Sequence, residues 1–125
     1  MATIQNQQRN VFYSVTDKMF RFIHPLKQKN FENIYKYLPR SVEQLWVFGS
    51  AVTPNHRPDS DLDLLVVGDL TIEDKKRIID AAGCEVDLFV TDKMFFDKKS
   101  KDFTHCYYNV AQNGILYFDR EWLNE

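Results

Sequence analysis

The segment Asp61-Leu62-Asp63-Leu64-Leu65-Val66-Val67 constrains this chain more than any other. It alternates acid with leucine, turns wholly apolar, and stops at Gly68-Asp69. A period of two predicts a β-strand, so Asp61 and Asp63 leave the same face with Cα atoms roughly 6.5–7 Å apart. Carboxylates on a strand are costly to bury without a compensating partner. The strand therefore needs sheet neighbours, and its acids need something to hold. Leu45 to Phe48 predicts a strand ending at Gly49-Ser50. Glu85 to Val90 predicts another, with Val86, Leu88 and Val90 on one face and Glu85, Asp87 and Phe89 on the other. Ile115 to Phe118 adds a last short strand.

Between these strands the period changes to that of a helix. Phe12, Val15, Met19 and Phe22/Ile23 make one apolar stripe and Phe31, Ile34, Tyr35 and Leu38 a second, with Pro25 between them and Pro39 after. Thr71 and Asp74 have capping-box spacing ahead of Ile72, Ile78, Ile79 and Ala82, and Gly83 suits the end of that helix. Phe103, Tyr107, Val110 and Ala111 predict a last helix ending at Gly114. The stretch from Ala51 to Ser60, with two prolines, reads as a loop with room for one helical turn at its start, and Thr91 to Asp102 as a charged connection. The expected fold is of the α/β (α+β) class: a small mixed β-sheet with helices packed on it. With 125 residues the chain has the size of a single domain, residues 1–40 forming a helical extension and 45–118 the core.

Composition narrows the setting. There is no run of about 18 apolar residues, and Met1 to Asn10 is polar, which disfavours a membrane span or secretory leader and gives a cytoplasmic expectation. Cys84 and Cys106 stand apart from any metal or disulfide spacing and read as free thiols. The net charge of −2 hides a split: residues 1–40 hold seven Lys/Arg against Asp17 and Glu32, and the remainder nine basic against sixteen acidic groups. The basic residues are spread along helices as on a solvated face, so no track for a nucleic-acid backbone is evident, and the extension is expected to serve a partner protein or a homo-oligomer.

Asp61, Asp63 and Asp87 carry the chemistry. Asp87 is on a second strand whose polar face can be placed beside that of Asp61 and Asp63. Three converging aspartates with no Lys or Arg between them repel one another, and oxygen-preferring divalent cations relieve that repulsion best, magnesium fitting the ligand set. Such a cluster alone suits a nuclease, a phosphatase or a polymerase-like enzyme. Gly49-Ser50 at the preceding strand end discriminates, because a glycine permits close approach and the exposed N–H groups with the Ser50 hydroxyl can hold a triphosphate tail.

Gly49-Ser50, ten intervening residues, Asp61-Leu62-Asp63 and a later Asp87 together resemble the signature of minimal nucleotidyltransferases in the DNA polymerase beta superfamily. The resemblance spans residues 45–90, and more weakly Asn109 to Phe118. It implies a polymerase-beta-like fold in which Asp61 and Asp63 bind two Mg2+ ions, Asp87 binds one and helps activate an acceptor hydroxyl, and Gly49 and Ser50 hold the β- and γ-phosphates of an NTP, with ATP expected. It further implies similarity to the MNT antitoxins that silence a HEPN toxin by attaching AMP to it. Family members carry a basic residue soon after Gly-Ser and a glycine in mid-loop. This chain has Ala51-Val52-Thr53-Pro54-Asn55-His56 instead, leaving Arg57 as the fixed positive charge expected at the nucleotide. The alternatives are a catalytically silent nucleotide- or partner-binding module and a small-molecule transferase of the antibiotic-modifying kind. His56 and His105 are left outside the site, since metal-assisted phosphoryl transfer needs no histidine.

Overall fold

A computed structural model describes residues 23–54 and 56–124. Helix α1 (Pro25–Lys36) opens with Pro25, whose fixed φ suits the first helical turn, capped by the His24 side chain accepting from the Leu26 N–H. Strand β1 (Val42–Phe48) follows, then a 3-10 turn (Gly49–Val52), strand β2 (Leu62–Gly68), helix α2 (Ile72–Ala82), strand β3 (Val86–Thr91), helix α3 (Lys93–Lys99), helix α4 (Cys106–Asn113) and strand β4 (Ile115–Asp119). A second 3-10 turn (Arg120–Asn124) closes the described chain.

The four strands make one sheet in the order β3-β2-β1-β4. β1 runs antiparallel to β2 and β4, whereas β2 and β3 are parallel and so need a crossover, which α2 supplies. β2 is a central strand, and its sequence shows why it turns apolar. Leu62, Leu64 and Val66 pack beneath Phe31, Ile34, Ile78 and Ala82 of α1 and α2. Leu65 and Val67 pack on the other face beneath Phe96 of α3 and Val110 of α4. A strand covered on both faces reads as a continuous hydrophobic run, and only its uncovered N-terminal end can carry acids.

Local signals held where they involve only neighbours. Thr71 and Asp74 form the full capping box, and Gly83 ends α2 in the left-handed region at φ 70°. The mixed sheet with packed helices is as expected, and no described helix is long and apolar enough to cross a membrane. Both cysteines are free, Cys84 half-buried and Cys106 exposed.

Three readings need correction. The charged connection after Thr91 contains α3, capped by Asp92 accepting from the Phe95 N–H at 2.7 Å. Phe96 is its one buried anchor, too little for a periodic signal. Phe103 lies ahead of α4 and is 80% exposed, because the Asp102–Thr104 turn places it outside the helix. On α2 only Ile78 and Ala82 are buried, while Ile72 at 78% and Ile79 at 43% exposure lie beyond the sheet's reach. α1 packs Phe31 and Ile34 into the main core. The apolar run from Phe12 to Phe22 lies outside the described residues.

Candidate active site

The strand register assembles the acids. Asp63 lies directly across from Phe48 on β1 and from Asp87 on β3, and Asp61 immediately precedes β2. These side chains occupy the face opposite α1 and α2, so the cations Lys75, Lys76 and Arg77 of α2 form no ion pair with Asp87. The cluster thus keeps its like-charge repulsion. Asp63 shows it: partial burial raises its carboxyl above the usual range, and the negative charges of Asp87 and Asp61 raise it further. Among the described residues no three acidic, histidine or cysteine side chains close around a common point as a finished metal site. What the donor set shows is an uncompensated carboxylate group open to solvent, of the kind a hard cation neutralises.

Gly49 adjoins the same carboxylate. Its φ of 74° is one that side chains rarely adopt, and a Cβ there would overlap Asp63 Oδ2 and stand 3.2 Å from its Cγ. Close approach of the Asp63 carboxylate therefore demands glycine at this position. The turn carries Ser50 next, and Thr53 ties it off by donating from N and Oγ1 to the Ser50 carbonyl at 3.0 and 2.8 Å. Phe48 and Phe89 pack across β2 with ring centroids 5.8 Å apart, an apolar ledge beside Asp63 and Asp87.

α1 holds the loop that follows. The His24 N–H donates to the Ala51 carbonyl at 2.7 Å, and the Lys27 ammonium, 5% exposed, donates to the Pro58 carbonyl at 3.2 Å. Ser60 closes a turn onto the Arg57 carbonyl just ahead of Asp61. Arg57 itself points outward, 78% exposed, and reaches Asp59 at 3.9 Å. The structure thus gathers Gly49, Asp61, Asp63 and Asp87, sets Ser50 on the adjoining turn, and leaves Arg57 on the rim.

One residue outside the expected set belongs here. His56 is 5% exposed, and its Nδ1 lies 2.7 Å from Ser50 Oγ. Burial first, and then the positive neighbours Lys27 and His24, hold its imidazole below the ordinary histidine range. The only signal in the sequence was its place in the short loop between Ser50 and Asp61.

A model of the family described as polymerase beta nucleotidyltransferase matches residues 32–121, a stretch that contains every residue of this cluster. The chain belongs to the polymerase beta nucleotidyltransferase family. General nucleotidyl transfer is the chemistry of that family, whose enzymes generally use divalent metals. The chain is also similar to an inferred nucleotidyltransferase from Sulfolobus solfataricus, known from a crystal structure, at 20% identity over 88% of each chain with a TM-score of 0.43. No curated protein matches it.

Proposed function

We propose that this nucleotidyltransferase moves AMP from ATP to a hydroxyl on a partner protein, with magnesium at Asp61, Asp63 and Asp87. The observation that carries this reading is that Asp63 lies beside Gly49 and directly across from Asp87, so the carboxylates and the Gly49-Ser50 turn adjoin at one end of the sheet. Bound there, divalent ions would neutralise the triphosphate and the charge that develops on it in transfer.

The chain's own residues do the positioning. Gly49 leaves room for phosphate oxygens, and Ser50 faces the same turn. By resemblance, Asp87, exposed on β3, would receive the acceptor's proton. The acceptor oxygen bonds to the α-phosphorus, the bond from that phosphorus to the bridging oxygen breaks, and pyrophosphate leaves. The Phe48–Phe89 ledge sets an apolar surface beside the carboxylates.

A protein acceptor is favoured over a nucleic-acid end because the net charge is −2 and part of the basic charge is locally neutralised, Lys29 by Glu32, Lys93 by Asp97 and Lys99 by Asp102. By resemblance, the acceptor is a tyrosine on a HEPN toxin. The test supplies labelled ATP and magnesium to a mixture of tRNA and the product of the adjacent gene, then separates protein from RNA. Label on the protein is expected. Label on tRNA alone would refute the protein acceptor, and label on neither would return the chain to a silent nucleotide- or partner-binding module.

A further inference from the structure

We propose that His56 is a positioning residue that donates from Nδ1 to Ser50 Oγ, and so leaves the Ser50 hydroxyl hydrogen free to donate to a nucleotide phosphate oxygen. This rests on the reading of Ser50 as part of the phosphate seat.

The geometry sets up a choice between two hydrogen-bond directions. Nδ1 and Ser50 Oγ are 2.7 Å apart, so one hydrogen lies between them. The other ring nitrogen, Nε2, is buried and has no hydrogen-bond partner among the described residues. Protonation of both nitrogens would bury a charge beside the Lys27 ammonium and the His24 ring, whose centroid is 5.6 Å away. A neutral ring remains, and its hydrogen sits on either Nε2 or Nδ1.

With the hydrogen on Nε2, a buried N–H donor has no acceptor, and Ser50 must spend its hydrogen on Nδ1. With the hydrogen on Nδ1, the group left unpaired is an acceptor lone pair, which proteins tolerate better than an orphaned N–H. The second arrangement satisfies the ring's only donor. It also converts Ser50 from a donor already used into one available, since a hydroxyl has one hydrogen and two acceptor sites. Ser50 is half-exposed on the 3-10 turn, whereas His56 is sealed beneath it, so the free hydrogen belongs on the open side. Lys27 completes the support: its ammonium holds the Pro58 carbonyl, fixing the loop that carries His56.

The test combines calorimetry with imidazole spectroscopy. Titration of a non-hydrolysable ATP analogue with magnesium into Ser50→Ala should show about 10–150-fold weaker binding, the loss of one hydrogen bond to a charged acceptor. His56→Leu, which leaves Ser50 its hydrogen but not its orientation, should lose part of this, and His56→Leu in the Ser50→Ala background should lose nothing more. His56→Asn, which can place an amide N–H where Nδ1 was, should remain within about 3-fold of the wild type and keeps the question open to experiment if His56→Leu fails to fold. Losses that add independently, or His56→Asn as impaired as Ser50→Ala, would overturn the proposal. Long-range 1H–15N spectra of the nucleotide-free protein should show the His56 hydrogen on Nδ1, and a hydrogen on Nε2 would overturn it without reference to binding. A wild-type protein that binds no nucleotide would instead overturn the transferase reading, with the spectrum still deciding the direction of this hydrogen bond.

Discussion

Replacing Gly49 with alanine should damage both stability and the site, and the two parts can be separated. The backbone at Gly49 has φ 74°, where an L residue costs about 1–2 kcal/mol. The added Cβ also overlaps Asp63 Oδ2 and lies 3.2 Å from Cγ, so the Asp63 side chain must swing off its rotamer at a further ~0.5–1.5 kcal/mol. Together these predict a loss of about 1.5–3.5 kcal/mol in the metal-free protein. In urea unfolding this should appear as a lower midpoint with an unchanged slope. The double variant Gly49→Ala/Asp63→Ala removes the collision and keeps the backbone strain, so the two substitutions should couple by about 0.5–1.5 kcal/mol relative to their sum. Transfer should be lost in both, because Asp63 is displaced from Asp87 in the first and absent from the second. A Gly49→Ala protein as stable as the wild type, or strict additivity in the cycle, would refute the assignment of Gly49 as the residue that makes room for Asp63.

Asp63→Asn should make the metal-free protein more stable at neutral pH. Folding raises this carboxyl's proton affinity, so its contribution to stability is full only below the unfolded carboxylate range and is lost as pH rises through its folded value. The advantage of Asp63→Asn should therefore shrink on acidification, and a pH-independent difference in thermal unfolding would contradict the repulsion described here. Asp61→Asn should abolish transfer while leaving the unfolding midpoint nearly unchanged, because Asp61 is exposed; wild-type rates under saturating magnesium would rule out the carboxylate site. Arg57→Gln should shift stability by less than about 0.5 kcal/mol, its ion pair being solvent-exposed, so any effect should appear in calorimetric ATP affinity alone. Equal ATP affinity in that variant would remove Arg57 from the nucleotide's contacts.

Sequence alone determined whatever depends on period and on neighbours along the chain. The alternation at Asp61-Leu62-Asp63 and the apolar run behind it specified a strand with acids at one end, because side chains on a strand can only alternate. The Thr71–Asp74 box and Gly83 specified where α2 begins and ends, because capping is satisfied within one turn. Tertiary structure decided what depends on which elements meet. Only the parallel pairing of β2 with β3 sets Asp87 opposite Asp63, and only packing on the other face keeps Lys75, Lys76 and Arg77 away from it. Ile72 and Ile79 share the apolar character of Ile78, yet the sheet is wide enough to cover just Ile78 and Ala82. α3 went unseen because a short helix can be held by one side chain, Phe96, whose value lies in Leu65 and Val67 beneath it. His56 was invisible for the same reason: nothing in its own residue type says that α1 will bury it, or that the loop will bend far enough to bring its ring to Ser50.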